Sequence, residues 1–253
     1  MAIIFPFGEG KTEKVVFDFI RGKLELLGDF REFNNVGGKN NFRSQILEIV
    51  QPDVEAHRDV RILVFRDLDN GEEPEEVAQS FRDIVWNLLK KWNLRPRIKQ
   101  HQCFSNIFMC EHSKHEETPE LRLVLHIADN SALELPVSLL NQTTDGYLLA
   151  VGLLDSVLDR FAREPKVNSD RQTLYTLITD SIPSTINRAG ITFNEDKDYL
   201  AAYLATSRFW VVKRAESRAQ LAKIILARTW KYAQDKFSSI FASWITAIQE
   251  VIR

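Results

Sequence analysis

Two cysteines, Cys103 and Cys110, are all that the 253 residues contain. So few exclude a disulfide framework and lead us to expect reduced thiols. No stretch approaches the ~18 apolar residues of a membrane-spanning helix. The opening MAIIFPFGEG has neither the apolar length nor the basic leader of a secretory signal, so a cytoplasmic protein is expected. Internal repeats and low-complexity tracts are absent as well. A strong charge of one sign is also lacking, the formal net charge being −2. The charge is uneven, however. Residues 1–164 hold 20 Lys and Arg against 27 Asp and Glu, while residues 165–253 hold 13 against 8. An acidic, metal-binding front beside a basic, nucleic-acid-facing back is one meaning of such asymmetry, and simple solubility is the other.

What is present fills a normal core. A hydrophobic fraction of 44% over this length suits one large or two small domains. The front half alternates in period. Residues 2–7 (AIIFPF) read as a buried strand, and a helical stripe of Val15, Val16, Phe19, Ile20, Leu24 and Leu27 runs from there to Gly28. REFNNV reads as a second strand and meets Gly37-Gly38. A helix carrying Phe42, Ile46, Leu47 and Val50 follows, then the strand VRILVF. A third helix opens on acidic residues with Pro74 in its first turn, carries Val77, Phe81, Ile84, Leu88 and Trp92, and has Lys90-Lys91 at its end. RPRIKQHQCF and ELRLVLHIA predict two more strands separated by a polar loop at 111–119. Beyond about residue 134 the pattern is helical, most plainly over 237–252, where Phe237, Ile240, Phe241, Trp244, Ile245, Ile248 and Ile252 recur at helical spacing. The fold class expected is α/β, a mostly parallel, Rossmann-like sheet flanked by helices over 1–135, with a mainly helical region over 136–253.

Chemistry in such a fold gathers beyond the carboxyl ends of the strands, where Glu9, Gly37-Gly38 and the pair Asp67/Asp69 fall. Gly10-Lys11-Thr12 looks like the closing half of a phosphate-binding loop. The glycine that opens such a loop would stand at position 5, which is Phe5 inside the apolar run, so the loop is incomplete. The carboxylates use more residues. Asp67 and Asp69, two apart on an extended segment, can face one cation, and hard oxygen ligands suit Mg²⁺ or Mn²⁺. Taken singly, each has a plainer role, since DLDNG is good turn chemistry and Glu9 could cap a helix.

Taken together, Glu9-Gly10-Lys11-Thr12-Glu13, Gly37-Gly38-Lys39 and Asp67-Leu68-Asp69 resemble the TOPRIM domain, and within that family the small bacterial and OLD-nuclease-like branch. The resemblance covers roughly residues 1–135. It implies that Glu9 is the general acid/base and that Asp67 and Asp69 hold Mg²⁺ or Mn²⁺ against a phosphodiester. Lys11, beside Glu9, would help to handle the phosphate. Glu13, one turn along the helix, would add a ligand. A further carboxylate is implied within ADNSALELP, where Asp129 and Glu134 compete and the Leu-Glu context of the branch leans towards Glu134. Lys14 and Lys39 lie near enough to steer nucleic acid. Arg208, Lys213 and Arg214, interleaved with Phe209 and Trp210, could contact phosphates and bases, although a solvated face over two core aromatics is the plainer reading. Cys103, Cys110, His112 and His115 raise a zinc site whose spacing matches no common finger. A metal-dependent nuclease on DNA or RNA is the function implied, and a non-catalytic protein of the same fold that binds nucleotide or nucleic acid, or serves as an accessory to a protein partner, is the alternative.

Overall fold

The interior of the sheet is made by two strongly apolar runs of the first unit. In the computed structural model, which describes residues 2–115, 118–164, 167, 169–206 and 218–253, β1 (Ile3–Gly8) and β4 (Val60–Arg66) pair in parallel from Ile3↔Val60 to Gly8↔Phe65. β1 is buried along its whole length, and in β4 only Arg61 is part-exposed, as strands covered on both faces must be. β7 (Leu121–Ile127) continues the parallel ladder on the far side of β4. β6 (Ile107–His112) and β5 (Ile98–Gln100) then add antiparallel strands, and with β2 (Asp29–Phe30) at the other edge the order is β2-β1-β4-β7-β6-β5. β6 falls where the sequence offered no strand, and it takes in residues 111 and 112 of the expected polar loop. The sheet is therefore mixed, though mostly parallel.

Of the expected strand REFNNV only β3 (Asn34–Asn35) is strand, and a second short piece, β2 (Asp29–Phe30), precedes it, both parallel to β1. Pro6 explains the break. Arg31 N–H donates to Ile4 O at 2.8 Å and Val36 N–H to Gly8 O at 3.0 Å, so Ile4, Pro6 and Gly8 present their backbone to this edge. Pro6 has no N–H to give there. Its carbonyl accepts instead from the Asn34 side chain at 3.2 Å.

Alternation along β4 sorts the helices onto two faces. Ile62 and Val64 belong to a core with Phe42, Ile46 and Val50 of α2 (Phe42–Glu55) and Phe81 and Ile84 of α3 (Pro74–Leu88). Phe65 points the other way. It lies 6.1 Å from the ring of Phe17 in α1 (Lys11–Lys23) and stacks at 3.9 Å on Trp244 of the last helix of the chain, Ala242–Ile252. Arg61 and Arg122 on this face donate to the carbonyls of Val251, Ile252 and Glu250, closing the carboxyl end of that helix. The α1 stripe differs from the expected one. Val16, Phe17 and Ile20 are buried, while the helix stops at Lys23 and leaves Leu27 82% exposed.

The chain divides into two compact units, Met1–Ala128 with Ser243–Arg253, and Asp129–Ala242. The division falls after Ala128, and the last helix belongs with the sheet. The second unit is helical: α4 (Thr144–Gly152), α5 (Asp155–Ala162), α6 (Arg171–Thr176), a π-helical turn (Leu177–Ser181), α7 (Ile182–Arg188), α8 (Asp196–Thr206), α9 (Arg218–Tyr232) and α10 (Gln234–Ile240). The continuous helix expected over 237–252 is interrupted at Phe241, so α10 and the last helix, α11, are separate. No helix among the described residues is long and apolar enough to cross a membrane.

Candidate functional site

Strand order locates the site. From β1 the chain first moves to one side, to β2 and β3, and then crosses to β4 on the other. Between the carboxyl ends of β1 and β4 the winding reverses, and there loops part and a crevice opens. Glu9 follows β1, and the register sets it beside Arg66, the last residue of β4.

Arg66 is only 5% exposed and organises the crevice. Its Nη1 donates to Glu9 Oε1 at 2.5 Å and to the carbonyl of Asp67, while Nη2 reaches Glu72 Oε1 and Oε2 at 3.1 and 3.0 Å. Lys39 extends the network, donating to Asp69 Oδ2 and to Glu72 Oε1, the latter at 3.0 Å. The DLDNG turn is real. Glu72 N–H closes it on Asp69 O at 3.0 Å, Gly71 supplies φ 85°, and Asp69 N–H donates back to Glu72 Oε2 at 3.0 Å. Gly37 and Gly38, at φ 71° and 129°, turn the chain after β3 so that Lys39 follows at once, and Gly37 N–H donates to Glu9 O at 3.2 Å.

Burial raises the Glu9 carboxyl above its usual pKa, the negative charge of Asp69 adds to this, and Arg66 offsets part of it. Glu72 goes the other way. Burial works to raise it, but the Asp69 N–H, Lys39 and Arg66 together hold it below the ordinary range. Lys39 is raised by its hydrogen bonds to Asp69 and Glu72.

Glu9, Lys39 and Asp69 thus join one network through Arg66 and Glu72, and Asp67 enters it by its main chain. Two members of the network, Arg66 and Glu72, were not foreseen. The signal for Arg66 was a basic residue closing the most strand-like run of the chain, where burial demands a carboxylate partner. Glu13 is also buried, but its Oε2 accepts from Gly10 N–H at 2.8 Å, a capping contact at the start of α1. Lys11 is exposed on the first turn of α1, and Lys14 pairs with Asp18 at 3.1 Å. With a carboxylate already on Gly10 N–H, that helix start is not arranged as a phosphate cradle. Asp129 and Glu134 belong to the second unit. Asp129 Oδ1 accepts from Ser131 N–H at 2.9 Å, and Glu134 is exposed. Arg208, Lys213 and Arg214 lie outside the described residues.

The cysteine and histidine set does not gather. Cys103 is exposed, whereas Cys110 is buried in β6 with its thiol pushed up to about 12 by desolvation. His112 Nε2 lies 3.1 Å from Thr118 Oγ1. Among the described residues no three His, Cys, Asp or Glu side chains stand arranged around a common metal position. Comparison with protein-family models, with curated proteins and with solved structures gives no match.

Proposed function

We propose that this crevice acts on phosphodiesters with the help of Mg²⁺ or Mn²⁺, as a nuclease of the TOPRIM type on DNA or RNA. The observation that carries the reading is the meeting of Glu9 with the Asp67–Glu72 turn at the reversal point of the sheet, although almost sixty residues of chain separate them. The donor types fit the ion, since carboxylate oxygens are what Mg²⁺ and Mn²⁺ take. Lys39 and Arg66 hold Asp69, Glu72 and Glu9, so a divalent cation has to compete with an ammonium and a guanidinium, and weak binding follows. When bound, the ion would neutralise charge on the phosphoryl oxygens. Asp67 and Asp69 are the residues to hold it. Glu9, with its raised pKa, keeps a proton at higher pH than an ordinary carboxyl, which suits a group that takes and returns one. Arg66, buried and donating to Glu9, Glu72 and the Asp67 carbonyl, holds Glu9 in position beside the turn.

The test is cleavage of labelled single- and double-stranded DNA and RNA with Mg²⁺, with Mn²⁺ and with chelator. Glu9→Gln should lower the rate by about 10²–10⁴ while the fold and the rise of melting temperature with Mn²⁺ persist. Asp67→Asn/Asp69→Asn should abolish both cleavage and that rise. No cleavage in either metal sinks the enzyme reading. The same ion pairing favours a second reading, a non-catalytic accessory protein, because carboxylates already neutralised by Arg66 and Lys39 make a stable structure without an ion.

A further inference from the structure

The strongest unassigned feature lies wholly in the second unit. A groove of about 750 Å³ between α5 and α9 is lined by Arg160, Arg163, Lys223, Arg228, Lys231 and Tyr232, and Glu164 is the single acidic residue among the described residues that line it. Glu164 is already used, bound by Arg228 Nη2. Arg228 is fixed further by Phe161, whose ring lies 4.1 Å from its guanidinium carbon, so this residue builds the wall. The other four cations are exposed. In a chain of net charge −2, such a concentration is a local property and not a by-product of composition. Its field holds the Tyr232 hydroxyl below the usual tyrosine pKa, chiefly through a hydrogen bond from Lys231.

We propose that this groove binds a strand of single-stranded nucleic acid, with Lys223, Lys231, Arg160 and Arg163 on its phosphates and Tyr232 as a platform for a base. Lys223 and Lys231 are eight residues apart on one helix, about 12 Å. One phosphate cannot meet both, but a run of phosphates can. The ring distinguishes nucleic acid from an acidic peptide. Tyr232 sits within the row of cations, with the Arg160 guanidinium 4.3 Å from its centroid and the Lys231 ammonium 5.0 Å away. Arg160 lies over this ring, and a base would extend that cation–aromatic stack while the neighbouring cations take its phosphate, a use that a glutamate chain does not have. The choice of nucleic acid among polyanions rests on the phosphodiester reading above. The groove itself does not.

The experiment uses the full chain, a fluorescent oligothymidine of about 12 nucleotides and chelator throughout, with anisotropy as the readout. Lys223→Glu/Lys231→Glu should weaken binding at least about 10-fold and flatten the slope of log K against log salt by about 1.4. Tyr232→Ala should cost about 5-fold or more, and Tyr232→Phe should bind as the wild type does. Circular dichroism and thermal melts establish that each variant is folded. Equal affinity of wild type and the lysine variant overturns the proposal. Displacement of the oligonucleotide by polyglutamate of equal charge also overturns it, in favour of an acidic protein partner. Displacement by pyrophosphate at equal phosphate concentration does so in favour of a small phosphorylated ligand. Chelator keeps the two readings apart. Binding that depends on the lysines, without cleavage in Mn²⁺, leaves the groove standing and removes the nuclease, while cleavage with lysine-independent binding does the reverse.

Discussion

Each unit sets carboxylates beside an arginine, part-buried in the first and buried in the second, and the two arrangements come out differently. In the first unit, Arg66 lies deep between Glu9 and Glu72, and Lys39 and a backbone N–H reinforce Glu72. In the second, Asp145 and Asp196 are both buried, and Arg218 reaches Asp145 Oδ2 at 2.6 Å from a largely exposed position. Asp196 accepts from Lys197 N–H at 2.8 Å, while its Oδ2 is buried without a hydrogen bond. Burial first, and then the charge of Asp145, push Asp196 up to about 7. Arg66 offsets only part of the burial of Glu9, which stays raised, whereas Glu72, with Lys39 and the Asp69 N–H besides, is lowered, so the number of donors on each carboxylate decides. Arg218, bound to Asp145 from the rim, leaves Asp196 to desolvation.

Removal of the buried cation should have the largest effect. Arg66→Ala leaves Glu9 and Glu72 facing each other without their shared donor, and the loss should be about 3–5 kcal/mol in urea unfolding. A loss under about 1 kcal/mol would mean that water already does the work assigned to Arg66, and the contrast between the units would collapse.

Asp196→Asn sharpens the contrast from the other side. A carboxyl near 3.9 in the unfolded chain and about 7 in the folded one binds its proton more tightly when folded. Stability is therefore full below about pH 4 and falls as pH rises towards 7. Asn cannot ionise, so the variant should match the wild type at pH 4 and exceed it by roughly 2–4 kcal/mol at pH 8. Parallel pH profiles for the two proteins would show Asp196 to be ionised throughout.

Lys39→Met should matter least, about 0.5–1 kcal/mol, because the ammonium is part-exposed and water can replace it. Under the proposed metal-dependent reading, its use lies in the response to Mn²⁺. With Lys39 gone from Asp69, the melting temperature should rise more with Mn²⁺ than in the wild type. An unchanged response would place the cation away from Asp69.

What was legible in the sequence was whatever depends on neighbours in the chain. The apolar run of β4, Pro74 at the first position of α3 and the glycines before Lys39 act locally, and each occurs where expected. What depends on partners far away was not. Phe17 is buried in place of Phe19 because it meets Phe30, Phe33 and Phe65, three rings brought by other strands and loops. β6 pairs through residues 107–112, but its alternation fades into Glu111 and His112, and the nearby cysteine and histidines drew attention to metal chemistry instead. Arg66 looked like a strand's polar end. Only the parallel register with β1, which brings Glu9 to its side, gives it a meaning.

The return of residues 243–253 to the sheet has a consequence for the order in which the protein is made. The ribosome finishes the seven strands by Ile127, yet Trp244, which covers Phe65, is still more than a hundred residues from being joined. Until it emerges, one side of the central strand stays wet and the main chain of α11 has yet to meet Arg61 and Arg122. The helical unit, contiguous in the chain from Asp129 to Ala242, can close during that interval. The unit that begins first is completed last, and a nascent chain halted anywhere before Trp244 carries an uncovered phenylalanine as a handle for chaperones.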